Sequence, residues 1–542
     1  MKEKIEALLP LVRKPARYIG NELNSIHKEW DKVKLRIALA YPDLYEVGMS
    51  NLGLQILYHI LNSQEDILAE RVYAPAPDME QTLISNGLPL FSLESWRPLK
   101  EFDLIGFGLG HELIYTNLLA MLKLSNIPIY SKDRTEEHPL IFAGGPSTFN
   151  PRPIEEFVDF FVIGEGEEVI LEVIEQIRKW SVVSGQWPVE KLTEIEGVYV
   201  PSIQNRTKKR YVKNLDTAPY PTKPIVPFLE IIHDRAMVEV MRGCKHMCKF
   251  CNACISYNPV RERSPKKVIE LALEILKNTG YDELSLISLS SSDYSAIEPV
   301  AKELAAKLEK KKINLSLPSL RLDSFGITLA KEIQRVRPTS VTMAPEAGTQ
   351  RLRDVVGKRL TEEDILAGAR AAFSEGITNL KLYFMIGLPS ETMADLEGII
   401  ELAKKISAIG KEYSHRAHVT ASVSTFIPKP HTPFERERQI NFDEIMERQK
   451  FLKQNLKGKG LELRWHDAKT SILEGVFSRG DSKLSKVIER AYELGARLDA
   501  WTEYFKFEIW EQAMSECGLK IEDYLRARDE NEELPWSIIS VK

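Results

Sequence analysis

The chain has little cysteine, little net charge and no long apolar run. Five cysteines in 542 residues are too few for a disulfide-stapled secreted scaffold, and four crowd into "MRGCKHMCKFCNAC", residues 241–254, too close together to staple distant elements. A net charge of −5 gives composition no bias toward a nucleic-acid polyanion or an anionic membrane surface. No stretch approaches the roughly 20 apolar residues that span a bilayer. The opening "MKEKIEALLPLVRKPARYIG" lacks the apolar core and small-residue cleavage site of a signal peptide, so a cytoplasmic location with no membrane partner is expected. The sequence also lacks a G-x-x-x-x-G-K-[ST] phosphate loop and a G-x-S-x-G nucleophile elbow, which leaves hydrolase chemistry little support. Metal or redox chemistry at the cysteines is the starting expectation.

What is present is a long, patterned α/β chain. With 43% hydrophobic and 28% charged residues it can bury several cores, and its length suggests about three domains. Residues 1–30 form an amphipathic helical lead-in with Ile5, Leu8, Leu9 and Val12 on one face. Over 31–180 strands such as "RIALAYP", "FDLIGFGLG" and "PLIFAGGP" alternate with helices such as "SNLGLQILYHIL", the pattern of a doubly wound, Rossmann- or flavodoxin-like parallel sheet. Ligands of such sheets sit beyond the carboxyl ends of the strands. Those ends carry Tyr41, Pro42, Asp43, Gly108, Gly110, Gly144, Gly145, Pro146, Gly164, Glu165 and Gly166. The glycines either admit a bulky flat or phosphate-bearing ligand or simply make tight turns, and both readings stand. Residues 181–233 read as a hairpin with a basic tip, Arg206–Lys213, followed by the connector "APYPTKPIVP". The tip is a solvated loop or, less often, a nucleic-acid contact.

Alternation resumes over 234–455 with six strands, "AMVEVM", "ELSLISL", "NLSLPSL", "SVTMAP", "NLKLYFMIG" and "HVTASVSTF"; Ser264 and Pro265 suit the N-cap and first turn of the helix "KKVIELALEIL". Six strand–helix units predict a partial (β/α)6 TIM barrel with its site at the carboxyl ends of the strands. Residues 456–542 read as a helical C-terminal extension whose aromatics, Trp465, Trp501, Tyr504, Phe505, Phe507 and Trp510, are expected in its core.

The cysteine run falls directly after the first barrel strand. Cys244, Cys248 and Cys251 are spaced C-x3-C-x2-C, so one loop can wrap three thiolates around one metal centre, and Cys254 adds a further C-x2-C step. Three readings compete: a closed zinc knuckle with four thiolates, an electron-transfer iron–sulfur site with four cysteines per cubane, and a catalytic cluster held by three with one iron open. Spacing alone does not choose among them, while the place at a barrel mouth favours the third. The competing class is a non-enzymatic interaction protein, in which the cysteines hold zinc and the glycine-rich domain binds a nucleotide or a partner.

"CKHMCKFC", with Phe250 at the aromatic position, resembles the CxxxCx(aromatic)C signature of the radical S-adenosylmethionine (SAM) superfamily. "FVIGEGEE", "AGGPSTFNP", "PVRERSP", "SLPSLRLDSF", "YFMIGLPSET" and "STFIPKPHTPF" extend the likeness, from about residue 15 onward, to the branch with an N-terminal cobalamin-binding-like domain. The resemblance implies that Cys244, Cys248 and Cys251 bind a [4Fe-4S] cluster and that the amino and carboxylate groups of SAM chelate the fourth iron. One electron then splits the sulfonium into methionine and a 5′-deoxyadenosyl radical, which modifies an unactivated carbon by hydrogen abstraction or by cobalamin-assisted methyl transfer. Ser290, Ser291 and Ser292 would meet the methionine end of SAM, Arg321 its carboxylate and Glu346 its amino or ribose groups, while Gly387 would make room for adenine. Gly144, Gly145, Gly164 and Gly166 would cradle the cobalamin. Cys254 would be a bystander, since a fourth thiolate on the open iron would exclude SAM. The implied partners are a reductant such as flavodoxin or ferredoxin, a separate protein supplying the domain that in relatives follows "ELPWSIISVK", and a substrate that is RNA, protein or a small molecule, with the basic tip tilting toward RNA. One departure stands out. "YPDLYEVG" occupies the place of the DxHxxG motif whose histidine ligates cobalt in many cobalamin proteins, leaving His111 as the nearby candidate; His431 and His466 are candidates for the substrate end of the barrel.

Overall fold

A computed structural model describes residues 1–180, 187–317 and 341–541. The N-terminal sheet is built from β1 (Leu35–Tyr41), β2 (Ile67–Tyr73), β3 (Leu104–Gly108), β4 (Leu140–Gly144), β5 (Phe160–Val162) and β6 (Val198–Tyr199), in the order β2-β1-β3-β4-β5-β6. All neighbours are parallel except β5 and β6. "LRIALAY" is apolar on both faces because both are covered. Ile37 and Leu39 pack with the helices Leu52–Asn62 and Gly166–Arg178, whereas Ala38 and Ala40 belong to a second core with the helix Tyr115–Leu124. The strand order reverses between β1 and β3, the switch point where doubly wound sheets open a crevice.

The hairpin expected within 181–233 does not form a ladder. Val198–Tyr199 pairs with β5, and β7 (Thr207–Lys208) pairs in parallel with β17 (Ile539–Ser540). Side chains tie the two arms instead: Asn205 accepts from the Val200 N–H and donates to the Val198 carbonyl, and Thr207 accepts from the Gly197 N–H. The tip is only partly a solvated basic loop: Arg206, Lys208 and Lys213 are exposed, whereas Lys209 is buried and Arg210 pairs with Glu172 and Glu168.

The second unit begins with β8 (Ala236–Glu239), which pairs in parallel with β11 (Glu283–Ile287), itself paired with β12 (Asn314–Ser316). A second parallel sheet holds β13 (Val341–Glu346), β14 (Asn379–Ile386), β15 (His418–Thr425) and β16 (Leu461–Trp465). These are the six expected barrel strands and one more. β16 lies past residue 455, in the stretch assigned to the helical extension, and was obscured because its outward positions are the charged Glu462 and Arg464. Between β8 and β11 the short antiparallel pair β9 (Met241–Arg242) and β10 (Arg261–Glu262) brackets the cysteine loop. Ser264 caps the next helix by accepting from the Lys267 N–H, with Pro265 in its first turn and Gly280 left-handed at its end.

The C-terminal segment docks on the N-terminal domain with its aromatics inward. Trp510 is buried against Phe477 and donates to Asp499, which also accepts from Thr116; Trp501 donates to Asp43 at the end of β1. Trp465 departs from the expectation, standing 40% exposed on the edge strand β16. Ile5, Leu8 and Val12 of the lead-in are buried as their periodicity predicts. No helix among the described residues is long and apolar enough to cross a membrane.

Candidate functional site

The cysteine loop leaves β9 at Gly243 and returns at β10. Cys244, Cys248 and Cys251 are half-buried along it, and Cys251 sits at the N-cap of the short helix Asn252–Tyr257. Cys254, on that helix, is buried with its thiol turned to both Cys244 and Cys251. Hydrogen bonds from the Cys254 thiol hold Cys244 and Cys251 below the ordinary thiol range, whereas burial pushes Cys248 up. Thiolates are the metal-binding form, and a soft set of three from one turn suits iron–sulfur chemistry. Phe250 packs with Val355 against the cluster of Ala347, Leu352, Val356, Leu388 and Phe434 on the far side of the mouth. The Lys249 N–H donates to the Val356 carbonyl, which ties the loop across the barrel.

Other barrel strand ends face this loop. Glu346 closes β13 with φ +68° behind a register shift in the ladder to β14. Burial raises its pKa against the opposing pull of Lys358, whose ammonium stands 3.2 Å from the carboxylate. Ser290 and Ser291 lie buried in the turn after β11, where the Ser291 hydroxyl is 3.1 Å from that of Ser288; Ser292 is half-buried beside them. At Gly387 the room expected for adenine is taken by Ile440, whose side chain lies 2.6 Å from where a Cβ would sit. With φ +80°, this glycine instead lets its N–H donate to Glu391. Arg321 lies outside the described residues. His431 donates from Nε2 to the Phe149 carbonyl, 3.0 Å away, and packs edge-on against the Phe149 ring, joining barrel to N-terminal domain; burial lowers its pKa. His466 is exposed after β16.

A cavity of about 470 Å³ opens between the two units. The strand ends of the N-terminal sheet form one wall, with Gly106, Gly108, Gly110, Gly144, Gly164 and Gly166; Glu239, Met241, Arg242, Gly243, Ser288 and Leu289 form the other. Its glycines divide by cause. A Cβ at Gly145 would meet the Leu109 carbonyl at 2.5 Å and one at Gly164 the Arg210 carbonyl at 2.2 Å, both at positive φ, so these two are demanded by the backbone. At Gly144 and Gly166 a Cβ meets nothing closer than 3.5 Å, so their missing side chains leave room in the cavity. His111, after β3, is half-buried next to the lining residue Gly110.

Glu165, read from the sequence as a strand-end residue, and others that the sequence did not single out join the two walls. Arg242 donates to Glu167 at 2.8 Å, stands 2.9 Å from Glu165, and forks onto Glu239. Arg261 meets Glu165 with two nitrogens at 2.7 and 2.8 Å. Burial alone would raise the Glu165 pKa, but the two guanidiniums and the Val212 N–H outweigh it and hold the carboxyl below its usual range. "GEGEE" is thus both a glycine turn and the carboxylate half of a domain junction. Only the spatial meeting with "MRGC" and "PVRERSP" reveals the second role.

Comparison with known proteins agrees with this arrangement. A family model described as radical SAM proteins, N-terminal, matches residues 53–201, and the radical SAM superfamily model matches residues 238–403. An uncharacterised protein of Methanocaldococcus jannaschii is 30% identical over 466 residues, covering 84% of this chain and 91% of that protein. An uncharacterised methyltransferase of Pyrococcus horikoshii is 24% identical over 50% of this chain and 59% of its own length. Among solved structures, the radical SAM methyltransferase TsrM from Kitasatospora setae aligns with a TM-score of 0.54 at 15% identity over 74% of this chain and 77% of its own. The cobalamin-dependent radical SAM enzyme OxsB aligns at 0.52 and 13% over 89% and 71%. At such identities the two structures show a shared fold. Two family models in chain order and a relative matched over most of its length establish that the chain belongs to the radical SAM superfamily, the iron–sulfur enzymes that cleave S-adenosylmethionine reductively.

Proposed function

We propose that Cys244, Cys248 and Cys251 hold the [4Fe-4S] cluster and that the cavity beside them holds cobalamin, giving an enzyme that transfers a methyl group to, or abstracts hydrogen from, an unactivated carbon. The observation that carries this is the shared wall: Arg242 and Gly243 line the cavity and lead directly into Cys244. TsrM was solved with cobalamin and a cluster bound, and OxsB with aqua-cobalamin and SAM, which supports the reading. Bound there, the cluster supplies the electron that splits the sulfonium, and cobalamin a carrier for the methyl group.

The chain's own residues bind and shield. Leu39, Leu54, Ile56, Phe142, Val162 and Ile170 make an apolar floor against a flat macrocycle, while Gly144 and Gly166 leave its edge space. Glu346, with Lys358 beside it, offers SAM an acceptor and a donor at the end of β13. Ser288, whose hydroxyl contacts that of Ser291, lines the cavity from the barrel side. Among the described residues that line the cavity there is no histidine or cysteine, so His111 is not proposed as a cobalt ligand. Radical SAM chemistry needs a reductant, and a small flavodoxin or ferredoxin fills that role in this proposal.

The test is corrinoid retention by the full chain after anaerobic reconstitution. Gly166→Leu adds a side chain at the cavity wall, where a Cβ meets nothing closer than 3.5 Å, and overpacking of about 1–3 kcal/mol should weaken corrinoid binding roughly ten- to a hundredfold without loss of iron. If the wild-type chain retains no corrinoid, or Gly166→Leu retains it as tightly as wild type, the cavity is not its site.

A further inference from the structure

The three proposed ligands are not equally fixed. Cys248 and Cys251 lie in one compact turn that runs into the helix Asn252–Tyr257, with the Cys251 N–H donating to the Cys248 carbonyl. Cys244 stands apart, across the stretch Lys245–Met247, where Met247 is left-handed at φ +49°. What holds it is Asn258. The Asn258 side chain accepts from the Cys244 N–H at 2.8 Å and donates to the Cys244 carbonyl at 3.2 Å, so one amide satisfies both backbone groups of this residue as a neighbouring strand would. The same nitrogen lies 2.8 Å from the Met247 sulfur. The contact is possible because residue 243 is glycine: at φ +89°, a Cβ there would come within 2.7 Å of the Asn258 amide oxygen.

Asn258 is itself anchored from outside the barrel. The Lys209 ammonium donates to the carbonyls of Asn258 and Ile255, each at 2.6 Å, and so grips the far end of the helix that follows Cys251. Lys209 is only 5% exposed. Its backbone N–H donates to Ser540, and its stem packs against Gly164, a backbone-demanded glycine of the N-terminal domain. Burial lowers the Lys209 pKa to about 8, the mark of a cation placed for its hydrogen bonds and not for solvation.

We propose that Asn258 is a positioning residue for the iron–sulfur cluster and Lys209 its anchor, so that the connector from the N-terminal domain sets where the first cysteine ligand stands. This rests on the reading of Cys244 as a ligand. Fixing Cys244 before the cluster arrives lowers the ordering cost of assembly and slows the opening that releases iron.

The test uses the full chain, anaerobically reconstituted, as wild type, Asn258→Ala, Asn258→Asp and Lys209→Met. Asn258→Ala should release iron to a ferrous chelator about tenfold faster, the equivalent of one or two ordinary hydrogen bonds. Asn258→Asp keeps the acceptor but loses the donor and should fall between; Lys209→Met should move the same way. In the cluster-free protein the Cys244 amide should be protected from hydrogen exchange in wild type and lose that protection in Asn258→Ala, a readout that needs no cluster. Release within twofold of wild type in both Asn258 variants, or a Cys244 amide that exchanges alike with and without Asn258, overturns the proposal. Cys244→Ala separates the two readings: retention of the cluster in that variant removes Cys244 from the ligand set, whatever Asn258 does to the loop.

Discussion

Cys248→Ala is expected to leave the purified chain without a cluster and without SAM cleavage, whereas Cys254→Ala keeps both. Wild type should carry about four irons per chain. Cys248 stands at the centre of the turn and takes no hydrogen bond from Cys254, so nothing replaces its sulfur when it is removed. Cys254 is the nearest spare thiol, but it faces Cys244 and Cys251 from the buried side of the loop, where its S–H serves as a donor to one or the other of their sulfurs. Hydrogen bonds to cluster ligands stabilise the more negative, reduced state. Cys254→Ala should therefore lower the cluster's reduction potential while iron content and 5′-deoxyadenosine formation persist. Iron loss in Cys254→Ala, or an intact cluster in Cys248→Ala, would show that the ligand set is a different three. Iron analysis with redox-titrated absorption of the variants makes the distinction.

Arg242→Met is expected to produce the largest loss of stability of any single change at the domain junction. Arg242 is buried with Glu165, Glu167 and Glu239 around it, at distances of 2.7 to 2.9 Å. Removing the guanidinium leaves Glu167 and Glu239 without that partner, and breaking such a buried pair typically costs about 3–5 kcal/mol. Glu165 keeps Arg261 and contributes less. The deficit should depend on pH with a definite sign. In wild type Glu165 is held below its usual range, so its share of stability is present at neutral pH and is lost as pH falls through that lowered value. Arg242→Met removes part of that share, so the gap to wild type should be widest near neutrality and narrow as pH falls. Denaturant unfolding at several pH values measures this. A loss below about 1 kcal/mol at neutral pH would mean that the network contributes little.

The parts of this molecule that were legible in its sequence are those whose cause is local. The cysteine spacing, the Ser264–Pro265 helix start and the apolar double-faced strands each declare themselves within a few residues. What escaped depends on meetings between distant segments. Lys209 reads as part of a basic loop until the fold buries it on Asn258, 49 residues away. Glu165 reads as a strand-end carboxylate until Arg261, 96 residues on, takes both its oxygens. The expected hairpin failed for the same reason, since each arm found a better neighbour in β5 or in the C-terminal strand than in the other. β16 was hidden by its own charges, an edge strand whose Glu462 pairs with both Arg464 and His418. Among the glycines, sequence gave no means of dividing Gly144 and Gly166 from Gly145 and Gly164; only the positions of the Leu109 and Arg210 carbonyls do so.

The most direct measurement is product analysis of the anaerobically reconstituted chain given SAM and a one-electron reductant. The predicted result is 5′-deoxyadenosine and methionine, or S-adenosylhomocysteine where SAM also donates a methyl group, each dependent on Cys244, Cys248 and Cys251. SAM recovered intact from a chain that carries zinc and no iron would contradict it.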